Sequence, residues 1–148
     1  MTDANKQGQG WSDGLATKKE AAMRTTPEHI DTLKEGEVFV FGSNAHGMHY
    51  GGAARTAVKK FGAVMGQGDG LQGQSYAISS MEGLKALQAN VRRFTDFARL
   101  HPELTFLVTR IGCGIAGYTD EEVAPFFASA AELDNVWLPA SFWEILNK

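Results

Sequence analysis

Val38-Phe39-Val40-Phe41 is an unbroken run of β-branched and aromatic residues, and it leads directly into Gly42-Ser43-Asn44. A short apolar run without polar alternation is the pattern of a strand covered on both faces, which places this segment at the centre of a sheet with helices on either side. The turn after it continues to Gly51-Gly52, and about half of the 17 glycines fall between Gly42 and Gly73. In open parallel sheets, ligands collect where such turns join strand ends to helix starts.

The remaining chain alternates in the same way. Ala53, Ala54, Ala57, Val58 and Phe61 recur at helical spacing, and Gly62 ends the pattern. Gly66 to Gln74 reads as loop and Ser75 to Ser79 as a strand. Leu84, Leu87, Val91, Phe94, Ala98 and Leu100 mark a longer helix, closed by His101-Pro102 because proline cannot continue it. Thr105 to Val108 is a further strand. Thr119 and Glu122 have capping-box spacing, so a helix starts there and buries Val123, Phe126, Phe127 and Ala130, with Pro125 tolerated in its first turns. Asn135 to Leu138 is the last strand and Phe142 to Leu146 a terminal helical turn. This order implies right-handed crossovers and a largely parallel sheet in one α/β domain spanning 27–148. Met1 to Thr26 is polar and aperiodic and reads as a flexible N-terminal arm, with Trp11 its one aromatic anchor. Pro27 to Glu37 is a lead-in with one helical turn around Glu28 to Leu33.

Composition narrows the partners. A chain of 148 residues with net charge -3 and pI near 5.8 carries no basic footprint for a phosphate backbone, so nucleic acid is not an expected partner. No apolar run approaches the roughly 20 residues that span a bilayer, and no secretory signal precedes the domain. A soluble, cytoplasmic protein with no membrane contact is expected. The single cysteine, Cys113, excludes an internal disulfide framework. A protein partner reached through the N-terminal arm stays open.

Two glycine turns sit where chemistry is expected. Gly51-Gly52 opens into the helix of Ala53 to Phe61, offering free N–H groups and a positive helix end to an anion, with phosphate the economical choice. The second turn is Arg110-Ile111-Gly112-Cys113-Gly114-Ile115-Ala116-Gly117-Tyr118. Neither GxGxxG after the strand nor a Walker lysine is present, so dinucleotide oxidoreduction and NTP hydrolysis lose their usual support. Each glycine can equally serve a tight turn alone; the pair of turns at one predicted crevice favours binding. His49 and Asp69 are the candidate acid-base groups for hydrolysis, His46 a lesser one. The loop holding Asp69 reads as ligand cover or plain connection, and Gln72 and Gln74 as readers of a base or ribose. Cys113 is either a thiolate nucleophile or small packing. Arg110 pairs with a pyrophosphate or with a carboxylate. Tyr118 and Phe142 stack on a base or belong to the core. His29 and His101 look structural. His46 and His49 lack a third ligand at suitable spacing, so neither a metal nor a cofactor is expected.

The combination of Val38-Phe39-Val40-Phe41-Gly42-Ser43-Asn44, then Gly51-Gly52-Ala53-Ala54, then Arg110 to Gly117 resembles the macrodomain superfamily over about Val38 to Leu138. The second motif is most similar to the branch of ADP-ribose-1″-phosphate phosphatases and deacylating ADP-ribosyl hydrolases. The resemblance implies a three-layer α/β/α domain with a largely parallel mixed sheet that binds ADP-ribose or a related phosphorylated nucleotide. Two activities follow from it as alternatives, hydrolysis of a phosphate or glycosidic linkage, or noncatalytic reading of a nucleotide signal. By the same resemblance Asn44 approaches the distal ribose, Gly42, Ser43, Gly51, Gly52 and Ala53 line the passage, and Gly112 to Gly117 wrap the phosphates. The acidic residue that macrodomains place for adenine has no counterpart before Val38. The lysine and aspartate of the lysine-dependent hydrolase branch read about Ser80 and Ala116 here, so that chemistry is expected to be absent.

Overall fold

The computed structural model describes residues 18–148, with side chains from residue 21 onward. Helix α1 (Lys18–Met23) precedes strand β1 (Glu37–Ser43), helix α2 (Gly52–Lys60), strands β2 (Gly70–Gln72) and β3 (Ser75–Ser79), helix α3 (Leu84–Leu100) and strand β4 (Thr105–Val108). A single turn of α-helix, α4 (Asp120–Val123), then strand β5 (Val136–Trp137) and helix α5 (Ala140–Leu146) complete the chain. The sheet has five strands in the order β2-β3-β1-β4-β5. All neighbours are parallel except the edge strand β2, which runs antiparallel to β3.

The run that predicts a central strand is β1, and its alternation separates two cores. Val38 and Val40 face the larger cluster, built with α3, α4 and α5; Phe39 and Phe41 face the smaller one, under α2. The result is helix layers on both faces of the sheet. Small residues set the α2 side: Ala54 and Ala57 are buried, so the helix backbone approaches the Phe39 and Phe41 rings closely. On the other face Phe94 of α3 meets Tyr76, Phe106 and Phe127 with ring centroids 5.2, 5.5 and 6.3 Å apart. Burial of such rings, each worth a few kcal/mol, dominates the hydrophobic term of a domain this size. Phe142 lies in this core, fully buried against Phe127, which settles its role as packing.

Four expectations are corrected. Residues 18–26, expected to belong to a flexible arm, are ordered, because α1 is helical and residues 24–26 are bound to the domain. Arg24 donates to the carbonyls of Ala131, Leu133 and Val136 at 3.0, 2.7 and 2.7 Å, and its carbonyl accepts from Trp143 Nε1 at 2.9 Å. Thr26 N–H donates to Leu138 O at 2.9 Å, so the segment extends the sheet edge beyond β5. Trp11 lies outside the described residues. The helical turn expected around Glu28 to Leu33 is absent; this stretch runs without regular structure, and Ile30 and Leu33 pack onto the smaller core. The glycine-dense loop contains β2, which was not foreseen because its three residues are too few to show a period. The capping box at Thr119 and Glu122 forms, but α4 tightens at once into a 3₁₀ turn over Ala124–Phe127, where Pro125 has no N–H to give. Phe126 is only partly buried. Among the described residues no helix is long and apolar enough to cross a membrane.

Candidate functional site

Both glycine turns open at the carboxyl ends of parallel strands, and the structure brings them face to face across a cavity of about 350 Å³. One wall carries Gly42, Ser43, Asn44, Gly51, Gly52 and Ala53; the other carries Arg110, Gly112, Cys113, Gly114, Ile115 and Ala116. The first wall follows β1, and the second follows β4 through Thr109, whose hydroxyl donates to Val40 O at 2.7 Å and ties the two strand ends together. Among the described residues the N–H groups of Gly52, Ala53, Gly114, Ile115 and Ala116 have no hydrogen-bond partner. Unpaired N–H groups around one concavity, beside the start of α2, form a partial positive charge suited to an anion.

Local conformation explains the sequence of the second turn. Gly112 has φ of +79°, and a Cβ there would stand 3.2 Å from both Leu87 Cδ2 and Tyr118 Cδ2. Only glycine fits that conformation against those neighbours. Tyr118 and Gly117, expected in the site, do not line the cavity: Tyr118 packs against the larger core from behind the turn, donating its N–H to Gly112 O at 2.9 Å, and Gly117 N–H closes back on Gly114 O at 3.0 Å.

A second, larger cavity of about 740 Å³ adjoins the first, and Ala53, Thr109 and Arg110 line both. Its walls mix apolar surface from Ile30, Phe39 and Val108 with polar groups of Thr26, Thr56, Asp120 and Ser141. Sequence reasoning missed this half of the cleft. Its residues come from separate segments without a shared motif, and the one available signal was topological, the proximity of the lead-in and α5 to the end of β4.

Asp120 is the hub at the seam. It accepts from Arg110 Nε and Nη2 at 3.1 and 2.9 Å, from Ser141 Oγ at 3.2 Å and from Cys113 Sγ at 3.4 Å. The Arg110 hydrogen bonds hold the Asp120 carboxyl below its ordinary value, and the same pair raises the Arg110 guanidinium. Cys113 goes the other way. Burial first, then the adjacent Asp120 carboxylate, pushes its thiol up to about 12, so the nucleophile reading does not fit the geometry. Arg110 therefore has the carboxylate partner, while still lining both cavities.

The two candidate bases lie elsewhere. His49 is 2 % exposed and does not line the cleft. Its Nδ1 is 2.7 Å from Ser43 Oγ and its Nε2 is 3.2 Å from Gln72 Oε1, with Phe41 edge-on at 5.0 Å. Because Gln72 Nε2 already donates to Gln67 O and Gly70 O, Gln72 Oε1 is the acceptor, and His49 donates from Nε2 while accepting the Ser43 hydroxyl. Asp69 pairs with Arg93 Nε at 3.1 Å beside a separate cavity of about 500 Å³ near the start of α3. Gln74 donates to Lys34 O and Glu37 O, so neither glutamine is placed to read a ligand. Asn44 lines the cleft, but its amide organises its own turn, with Oδ1 accepting from His46 and Met48 N–H at 3.1 Å each. His46 is exposed. His29, expected to be structural, is exposed at the larger cavity, whereas His101 packs against Phe97 with the rings tilted and their centroids 4.2 Å apart. Ser80, at the place of the hydrolase-branch lysine, lines the cleft and donates to Ser43 O at 3.2 Å. Among the described residues no cluster of three metal-ligating side chains is present.

No protein-family model matches the chain, and neither curated proteins nor solved structures provide a match. The likeness to macrodomains rests on the sequence motifs alone.

Proposed function

We propose that this protein binds ADP-ribose or a closely related phosphorylated nucleotide, with the nucleoside in the larger cavity and the phosphates between the glycine turns. The observation that carries the reading is the facing pair of turns with unpaired N–H groups, opening directly into a second, partly apolar compartment. Ligand sites commonly enclose about 300 to 1,000 Å³ and combine apolar walls with a few convergent polar groups. Arg110 at the seam supplies the one full positive charge that lines both compartments.

Reading of a nucleotide signal fits this geometry better than hydrolysis. His49 and Asp69 are the residues that hydrolysis would need, and both are bound into other parts of the fold. Asp120 lines the larger compartment only, held by Arg110. Calorimetry with ADP-ribose tests binding, and saturation at micromolar to low millimolar ligand is expected; absence of heat at millimolar ligand rejects the proposal. Incubation with ADP-ribose 1″-phosphate, followed by phosphate release, tests the second point. Turnover above the buffer rate would restore the hydrolase reading.

A further inference from the structure

The smaller cavity is lined by apolar side chains as well as turn backbone. Met48, Met81 and Ile115 line it while remaining 42 %, 45 % and 77 % exposed, and none of them lines the larger cavity. Ile115 reaches across from the second turn so closely that a Cβ on Gly51 would overlap its Cδ1. Single exposed apolar side chains are ordinary on a protein surface. Three in the lining of one concavity that also presents unpaired backbone N–H groups add an apolar collar to an anion site. Methionine suits such a collar, since its unbranched side chain adapts to the shape it covers.

Charge sharpens the contrast. Among the described residues lining this cavity Arg110 is the one charged side chain, and it sits on the side shared with the larger cavity. Glu82, next to Met81 in the chain, accepts from Ala45 N–H at 2.9 Å and lines the separate cavity near α3, so it brings no cation to the collar. A ligand group that emerges past the phosphates therefore meets thioether and aliphatic surface with no cation beside it. A further phosphate there would lose hydration without gaining a cation, whereas an uncharged ring would remove its own apolar area and that of the collar from water.

Resting on the reading of the cleft as a nucleotide site, we infer that the collar of Met48, Met81 and Ile115 receives an uncharged apolar ring carried beyond the pyrophosphate. The preferred ligand is then a pyrophosphate-bridged dinucleotide with a neutral distal ring, and a nucleotide ending in another phosphate is disfavoured.

The test is calorimetry on the full chain with NADH, ADP-ribose and ADP-ribose 1″-phosphate. NADH is expected to bind about tenfold more tightly than ADP-ribose, and the 1″-phosphate about tenfold more weakly. Met48→Ser and Met81→Ser, both at exposed positions, are expected to move the ratio of NADH to ADP-ribose affinity towards one. Tighter binding of the 1″-phosphate than of ADP-ribose, or an unchanged ratio in the folded methionine variants, overturns the inference and leaves the nucleotide reading in place. Failure of both NADH and ADP-ribose to bind at millimolar concentration removes the nucleotide reading and the inference together. The wild-type ligand series decides the question by itself if a variant does not fold.

Discussion

Arg110 and Asp120 meet in a two-point pair at the seam of the cleft, Nε to Oδ1 at 3.1 Å and Nη2 to Oδ2 at 2.9 Å. The pair links the strand-end turn that carries Arg110 to the first turn of α4, where the capping box of Thr119 and Glu122 fixes the helix start. A fork matched to a carboxylate loses less side-chain freedom per hydrogen bond than a lysine would, and it fixes the guanidinium plane. Where Arg110 points is thus decided by a residue ten positions later that lies outside the glycine motif in sequence and also reaches it through Cys113.

Asp120→Asn removes the charge while keeping the shape. With Arg110 about half exposed, the loss at neutral pH is expected to be about 1 kcal/mol, a fall in Tm of about 2 to 4 °C. The pH dependence has a definite sign. The carboxyl of Asp120 is depressed in the fold below its ordinary 3.8, so its contribution is fully present above that value and is lost as pH falls through the lowered one. Thermal unfolding of wild type and variant from pH 7 to pH 2 should give curves that separate at neutral pH and converge below about 3.8. A constant gap across the range contradicts the assignment.

Cys113 should be a poor nucleophile despite its place in a glycine turn. With the thiol raised to about 12, alkylation by iodoacetamide at pH 8 is expected to be about two to three orders of magnitude slower in the native protein than in urea. Asp120→Asn should speed it, since the neighbouring carboxylate is one cause of the shift, though burial is the larger one. Mass spectrometry of quenched time points reads both rates, and equal native and unfolded rates would refute the raised thiol.

What the sequence makes legible follows from how local each determinant is. The apolar run of β1 and the helical period of α3 are complete within a few residues, so their identity and burial can be read directly. The glycine turns are legible for the same reason, because a backbone conformation such as that of Gly112 must be met at its own position. Arg24 is the opposite case: the carbonyls that its guanidinium holds lie in 131–136, more than a hundred residues away, and nothing nearby distinguishes it from an arm residue. The larger cavity was illegible because its lining is divided among the lead-in, β1, α2, β4, α4 and α5, with no segment carrying a motif of its own. His49 misleads for a related reason. A histidine between glycines reads as exposed, and only the fold brings Gln72 to its far nitrogen.

His49→Ala should therefore act on stability. It leaves the Ser43 hydroxyl without its partner, takes from Gln72 Oε1 one of its two donors while Val64 N–H at 2.7 Å stays, and opens a hole beside Phe41, a loss of about 2 to 4 kcal/mol. Urea unfolding measures the cost, and any weakening of ligand binding should track the fraction unfolded. A stable variant that has lost only binding would instead make His49 a ligand-contacting residue.

Two glycine substitutions separate turn-building from ligand access. A Cβ on Gly68 would overlap the backbone oxygen of Asn44, and that oxygen also holds the tight turn by accepting Gly47 N–H at 2.9 Å. Backbone cannot yield as a side chain does, so Gly68→Ala is expected to cost about 3 kcal/mol or more. On Gly51 the overlap is with the free end of Ile115, and the Gly51 backbone, φ of -117° and ψ of 147°, accepts any residue. Gly51→Ala should change stability by less than about 1 kcal/mol, while displacing Ile115 from the cleft and altering ligand affinity severalfold. Denaturant melts and calorimetry on both proteins test the contrast. If Gly51→Ala destabilised as strongly as Gly68→Ala, Ile115 would be a rigid strut between the two turns rather than a side chain free to yield, and the cleft would be fixed in its present width.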